Sequence, residues 1–138
     1  MENIETQIDR IVIKTEARLL AVARQGIADT IAETQKPKAQ GGRMPVLTGF
    51  LRASGVAAVN SIPRGPTKGL KTQGYSWAGE SINIVLAQMK LGDTFYWGWT
   101  AIYANVQEIR NGFLGGALMN WQRNIDKAVN FFRNKDLK

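Results

Sequence analysis

Apolar residues in the N-terminal part of the chain recur at the spacing of an α-helix. One row within residues 2–35 consists of Ile4, Ile8, Ile11, Leu19 and Val22. A second row, on a different face, consists of Ile13, Leu20, Ile27 and Ile31. Pro37 disfavours helical geometry at the residue before it, so the helix should end near Gln35. The pattern predicts one long helix over 2–35 with two apolar faces.

Two apolar faces on one helix need two surfaces to cover them. The core of the same chain supplies one of these surfaces. We expect a neighbouring subunit to cover the second row, with Leu20 and Ile27 in the interface. The alternative is a helix sandwiched within its own domain, for which the chain offers few other long elements.

Shorter elements follow this helix. The patterns predict a strand over 55–62, a helix over 80–90, a strand over 94–100, a short helix over 102–109 and a terminal helix over 114–133. The terminal helix has an apolar face that we expect in the core, formed by Leu114, Ala117, Leu118, Trp121, Ile125, Ala128 and Phe132. Two strands make a marginal sheet, so we expect a third strand near 70–76 or pairing across a subunit boundary.

These elements predict a single α+β domain over 1–138. It should contain the long N-terminal helix, a small antiparallel sheet of two to four strands, short helices and the amphipathic C-terminal helix.

The net charge of +7 lies entirely in residues 36–79, which contain no Asp or Glu. This segment includes two basic loops rich in breaker residues, 36–46 and 63–79. A concentrated positive field attracts a polyanion or an acidic protein surface over about 10 Å at moderate salt. The residues expected to dock such a partner are Lys36, Lys38, Arg43, Arg64, Lys68 and Lys71. The alternative is a solvated segment whose charges serve solubility.

Two aromatic residues, Tyr75 and Trp77, lie in the second basic loop. Basic residues interleaved with aromatic ones occur in sites that bind single-stranded nucleic acid. The alternative is that the two rings pin the loop to the core.

The chain contains no His and no Cys. Disulfides, the usual zinc sites, His-activated nucleophiles and Cys nucleophiles are therefore excluded. We expect no enzymatic activity, no cofactor and no metal site. No apolar run approaches the roughly 20 residues of a membrane helix, and the polar start lacks the features of a secretory signal. We therefore expect no membrane partner and assembly in a cytoplasm.

Three local patterns occur in order in the C-terminal two thirds of the chain. The first is Thr48-Gly49-x-Leu51-Arg52-x-Ser54. The second begins with Gly92-Asp93-Thr94, continues through the aromatic strand and ends with Tyr103-Ala104 and Glu108. The third is Gly112-Phe113-Leu114, shortly before Ala117. Together they resemble the neck, or tail-completion, proteins of long-tailed bacteriophages, over roughly 45–138.

This resemblance implies a virion structural protein of the head–tail connector. Such proteins form a homo-oligomeric ring, expected here to have six subunits, between head-closure and tail proteins, and double-stranded DNA passes through the ring without being read. The resemblance implies no catalysis and no cofactor, and it places the protein in the virion neck or tail and, during assembly, in the host cytoplasm. One departure is that the glycine usual shortly after the glutamate is delayed to Gly112.

Three alternatives to the neck protein stay open. One is a tail terminator protein that caps the tail tube. Another is a small, non-enzymatic nucleic-acid-binding protein that uses the basic 36–79 segment. The least favoured is an enzyme that uses Glu108 with Arg52.

The matched residues have expected physical roles in a subunit interface. Thr48 and Gly49 should form a tight turn, and Leu51 should be buried. We expect Arg52 to bond a carboxylate of the adjacent subunit, with Glu108 as the natural acceptor. Tyr103 should pack beside Trp97 or Trp99.

The basic residues would either line the ring lumen or dock on an acidic neighbouring protein. We favour docking, because strong attraction in the lumen would hinder DNA ejection.

Overall fold

The computed structural model describes residues 3–133 and 135 of the chain. Its helices are α1 (Ile4–Gln35), α2 (Phe50–Ala53), α3 (Glu80–Gln88), α4 (Ala104–Asn111), α5 (Phe113–Leu118) and α6 (Trp121–Phe132). The strands are β1 (Gly55–Val59) and β2 (Phe95–Trp99), and a 3₁₀ turn covers Lys38–Gln40. The predicted α+β fold is confirmed. The predicted helix start at Glu2 and the chain end at 136–138 lie outside the described residues.

Helix α1 is the longest element, with 32 residues, which corresponds to about 48 Å at 1.5 Å per residue. At its start, the Asn3 side chain accepts a hydrogen bond from the Thr6 N–H at 2.8 Å. At its end, Lys36 takes an extended conformation (φ −68°, ψ 118°) in front of Pro37, as the sequence predicts.

The N-terminal part of α1 is exposed to solvent. Every described residue from Asn3 to Glu16 is exposed. Among them, Ile4 retains 72% of its accessible surface and Ile11 64%. We call residues 4–16 the arm.

The two strands form an antiparallel sheet in a continuous register, from Gly55 opposite Trp99 to Val59 opposite Phe95. No third strand near 70–76 is present in the part of the chain that the structure describes. One face of the sheet covers a buried cluster between the sheet, α1 and α3, which consists of Ile31, Ile82 and Leu86, with Ile27, Ala57, Trp77, Phe95 and Trp97 packed against it.

A second buried cluster lies under the turn before α2 and consists of Met44, Phe50, Leu51, Ala101 and Phe113. Gln35, at the end of α1, is fully buried beside it. Its amide donates to the Arg52 carbonyl at 2.8 Å and accepts from the Trp99 indole N–H at 2.9 Å. Because both ends of the amide are paired, its burial is tolerated, and Gln35 ties α1 to α2 and β2. The predicted burial of Leu51 is confirmed.

Arg24 joins α1 to the end of α3. Its Nε donates to the Leu86 carbonyl at 2.8 Å, and its Nη2 donates to the carbonyls of Ala87 at 3.1 Å and Met89 at 2.8 Å. Carbonyls at a helix C-terminus lack intrahelical partners, so this guanidinium serves as a cap from another element.

The predicted terminal helix over 114–133 is two helices, α5 and α6, separated by Met119 and Asn120. The expected apolar face is partly wrong, since Leu118 and Trp121 are exposed. Ala117 and Ala128 are buried as predicted, and the other buried positions are Phe113 and Asn124. Hydrogen bonds explain which side of α6 is buried. The Asn124 side chain packs on α1 and donates to the side-chain oxygens of Thr30 and Glu33, both at 3.1 Å. Those bonds draw its side of α6 toward α1.

The expected roles of the two apolar rows on α1 need correction. In the second row, Ile31 is buried in the sheet cluster and Ile27 packs against it, so Ile27 contributes to its own chain's core. Leu20 is half-buried. In the first row, Ile4, Ile8, Ile11 and Leu19 are exposed, and in the second row Ile13 is exposed. Most of the free apolar surface of α1 therefore lies on the arm, and Ile27 is not part of it.

Candidate functional site: an apolar groove with a basic rim

The site is built on the turn that precedes α2. Thr48 accepts through its hydroxyl from the Phe50 N–H at 3.3 Å, and its carbonyl accepts from the Tyr75 N–H at 2.8 Å. Gly49 has a left-handed backbone (φ 87°), and a Cβ there would collide with the Tyr75 carbonyl oxygen. The predicted tight turn, with its special glycine conformation, is confirmed.

Beside this turn lies an open cavity of about 470 Å³. Its wall is formed by three separate parts of the chain, and its apolar lining includes Pro45, Leu47, Leu70, Ile102 and Tyr103. We call this cavity the groove. Leu47 is 99% exposed at its edge, and Leu70 and Ile102 are also exposed. Side chains of this kind lose contact with water only when another molecule covers them.

A second cavity, of about 400 Å³, adjoins the groove, since Pro45 and Leu47 line both. Lys38 lies in its wall, whereas Lys68 and Lys71 line the groove itself. Three of the predicted docking lysines therefore border one continuous apolar surface.

The other predicted docking residues lie elsewhere. Lys36 and Arg64 are exposed. Arg43 packs over Gly116 and donates to the Gly112 carbonyl at 3.4 Å, so its guanidinium supports the start of α5.

The second basic loop is held against the body of the chain. The Ile102 N–H donates to the Thr67 carbonyl at 2.9 Å, and the Tyr75 hydroxyl accepts from the Leu70 N–H at 2.9 Å. The Tyr75 ring packs edge-on against Phe50, with centroids 5.2 Å apart.

Trp77, the other aromatic residue of this loop, packs against Trp97 with centroids 6.4 Å apart. Of the two alternatives, the aromatic rings therefore pin the loop to the core.

The expected packing of Tyr103 is wrong. Trp99 packs instead on Phe113, with ring centroids 4.7 Å apart, and Trp97 contacts Trp99 and Trp77. Tyr103 lines the groove and is 38% exposed. Partial burial raises the pKa of its phenol above the ordinary value.

Arg52 and Glu108, which were expected to pair across a subunit boundary, both have partners within their own chain. The Nε of Arg52 donates to the Gln35 carbonyl at 2.7 Å, and its guanidinium lies 5.4 Å from the centroid of the Trp77 ring. The two carboxylate oxygens of Glu108 accept from the N–H groups of Leu114 at 2.8 Å and Gly115 at 2.9 Å. Both side chains have partners within their own chain, and Glu108 caps the N-terminus of α5.

Sequence reasoning identified Thr48, Gly49, Lys68, Lys71 and Tyr103, which the fold brings together at the groove. It did not identify the apolar lining. The only signal for that lining was isolated apolar residues within polar loops, such as Leu70 beside Lys71.

The described residues contain no group of three or more acidic side chains placed to hold a metal ion. Within the same residues, no helix is both long and apolar enough to cross a membrane.

Comparison of the chain with protein-family models, curated proteins and solved structures finds no match. The site must therefore be interpreted from its own geometry. An exposed apolar floor with lysines on its rim suits an amphipathic protein segment that carries acidic residues.

Proposed function

We propose that the chain is a structural subunit of a long-tailed phage virion. Copies of it would form a homo-oligomeric ring that joins the head connector to the tail and lets double-stranded DNA pass. The role requires neither catalysis nor a cofactor. The protein would act in the virion neck and be assembled in the host cytoplasm.

The observation that carries this proposal is the exposed apolar surface of the arm. Ile4, Ile8 and Ile11 are all more than half exposed. Covering one such side chain contributes roughly 1.5–3 kcal/mol. A protein that acts as a single copy gains nothing from this surface, whereas a ring subunit can bury it in every contact between copies.

The motif order that resembles the neck proteins supplies the phage context. The turn at Gly49 supports this context, because the glycine of the matched Thr-Gly pair has a left-handed backbone conformation that other residues adopt only with strain. The lysines on the groove rim would dock an acidic protein surface, either of another copy or of a neighbouring head-closure or tail protein. DNA passing through the ring would meet the remaining basic residues without sequence-specific contacts.

The nucleic-acid-binding alternative is less favoured. It relied on Tyr75 and Trp77 as stacking platforms, and both rings already pack against other aromatic rings of the chain.

The proposal is tested by deleting the coding sequence from the phage genome that carries it. We expect normal heads and normal tails that remain unjoined in electron micrographs, and restoration by the intact chain. Tails of uncontrolled length would instead identify a tail terminator. Normal infectious particles from the deletion would refute both roles.

A matched pair of variants connects this test to the arm. Ile8→Asp should fail to restore joining, because it places a charge in the exposed apolar row. Ile84→Asp makes the same change at an exposed residue of α3 and should restore it. Restoration by both variants would show that the arm is not needed for the joint.

A further inference from the structure

The arm and the groove are two exposed apolar surfaces at different places on the same chain. We propose that the groove of one copy binds the arm of the next copy, so that copies join head to tail. This inference deepens the proposed function, on which it rests for the closure of a ring, by naming the contact between subunits.

The arm has the surface of a helix that binds in a groove. Ile4, Ile8 and Ile11 follow one another at intervals of four and three residues and so share one face. Ile8 lies about five helical turns before Gly26, on the same face. At Gly26 that face is covered by Ile125 of α6. The apolar row of the arm continues a face that already packs against a helix elsewhere in the chain.

One flank of the arm is complementary in charge to the rim of the groove, whereas the opposite flank carries Arg10 and Lys14. Glu5, Asp9 and Glu16 form a row along one flank of the apolar row, since four and seven residues separate them. Lys68 and Lys71 line the groove, and Lys38 lines the adjoining cavity. An acidic flank beside an apolar row thus matches a basic rim beside an apolar floor, which favours correct orientation and rapid association.

A chain cannot place its own arm in its own groove. The end of α1 is fixed at the groove, because Gln35 is hydrogen-bonded to Arg52 and the groove is lined by Leu51. From Gln35, an uninterrupted helix leads back to the arm, which begins about 28 Å away and ends about 46 Å away. The occupant must therefore come from a second copy.

The direction of this contact has a consequence for assembly. Arm and groove are different surfaces, so each copy offers one of each to its neighbours. A contact of this heterologous kind produces a closed ring or an open filament, whereas a contact between two arms would stop at a dimer.

The first test is chemical crosslinking of two single-cysteine copies, which is direct because the chain has no cysteine of its own. Ile8→Cys and Leu47→Cys variants are mixed with a short bismaleimide. We expect crosslinking at least about tenfold faster than for Ile8→Cys mixed with Ile84→Cys, because binding raises the effective concentration of the two thiols. Equal crosslinking rates for the two mixtures overturn the proposal. This holds whether the parent protein is monomeric or oligomeric in solution, since the crosslinker would capture even a transient contact.

The second test uses native mass measurement and two blocking variants. Ile8→Asp damages the arm but keeps the groove, and Leu47→Asp damages the groove but keeps the arm. Each alone should lose the self-association of the parent, and an equimolar mixture should form 1:1 dimers and nothing larger. Leu47→Asp that assembles like the parent would point to an arm–arm contact and overturn the proposal, as would a mixture that stays monomeric.

These outcomes are separable from those of the proposed function. A chain that crosslinks arm to groove, yet is dispensable for joining heads to tails, keeps this contact and loses the phage role. A chain that joins heads to tails without the crosslink keeps the role and loses this contact.

Discussion

Glu108 provides a sharp test of whether a matched motif residue acts within a subunit or between subunits. Its carboxylate accepts two backbone N–H groups at the start of α5, at 2.8 and 2.9 Å. In Glu108→Gln, the amide oxygen can keep one of these bonds, but the amide nitrogen then faces the other N–H as a second donor.

The expected loss of stability in Glu108→Gln follows from the free energy that a helix-capping side chain contributes. Replacing a helix-capping side chain costs about 0.5–2 kcal/mol, and hydrogen bonds to a charged group lie near the upper end. Because Glu108 is only half-buried, we expect about 1–2 kcal/mol for Glu108→Gln. With a urea dependence of about 1–3 kcal/mol per molar, the unfolding midpoint should fall by about 0.3–2 M.

The measurement is urea unfolding followed by tryptophan fluorescence at low and high protein concentration. Trp99 reports on this region, since it packs on Phe113 at the start of α5. Glu80→Gln is the matched control, because Glu80 is exposed in the first turn of α3, where the helix dipole contributes about 0.3–1 kcal/mol. If Glu108→Gln unfolds like the parent when dilute but no longer self-associates, Glu108 acts between subunits and the capping argument is refuted.

Three further predictions concern the fold that holds the arm and the groove. Arg24→Met should lower the free energy of unfolding by about 2 kcal/mol, because it removes three hydrogen bonds to backbone carbonyls. Arg123→Met removes only a mostly exposed ion pair of 3.7 Å and should lower the free energy of unfolding by less than about 1 kcal/mol, and equal losses in urea titrations would contradict this. Gly49→Ala should lower the melting temperature strongly, because position 49 has a left-handed backbone and a Cβ there would collide with the Tyr75 carbonyl. Gly98→Ala is the control, since a Cβ at position 98 meets open space, and it should change the free energy of unfolding by less than about 1 kcal/mol. Similar melting temperatures for the two variants would contradict this. Hydrogen bonds from the Asn60 side chain and the Lys90 N–H lower the pKa of Asp93 below its ordinary 3.8, so the folded chain binds this proton more weakly than the unfolded chain. The resulting stability is present above the ordinary pKa and is lost as the pH falls through the lowered pKa. Asp93→Asn should therefore flatten the decline of the melting temperature below about pH 4.

The helices and strands were largely predictable because their signals are periodic and local. The long helix followed from rows of apolar residues and from Pro37, and its end at Gln35 is as predicted. The glycine at position 49 was predictable for the same reason, since a left-handed turn is a local requirement.

The groove was not predictable, because its lining has no period. Leu47, Leu70 and Ile102 come from three segments that only the folded chain brings together. The partners of Arg52 and Glu108 were missed for a related reason. Both side chains bond backbone groups, which every residue carries and which a sequence therefore does not distinguish.

The unbroken course of α1 from the arm to Gln35 fixes the phase of the arm relative to the body of the chain. One residue inserted between Glu16 and Gly26 would turn the arm by about 100° and point its isoleucines away from the groove that we propose they bind. Seven inserted residues would nearly restore the direction while lengthening the helix by about 10 Å. If copies join through the proposed contact, the residue count of a single helix sets both the spacing between adjacent copies and the face that each copy presents.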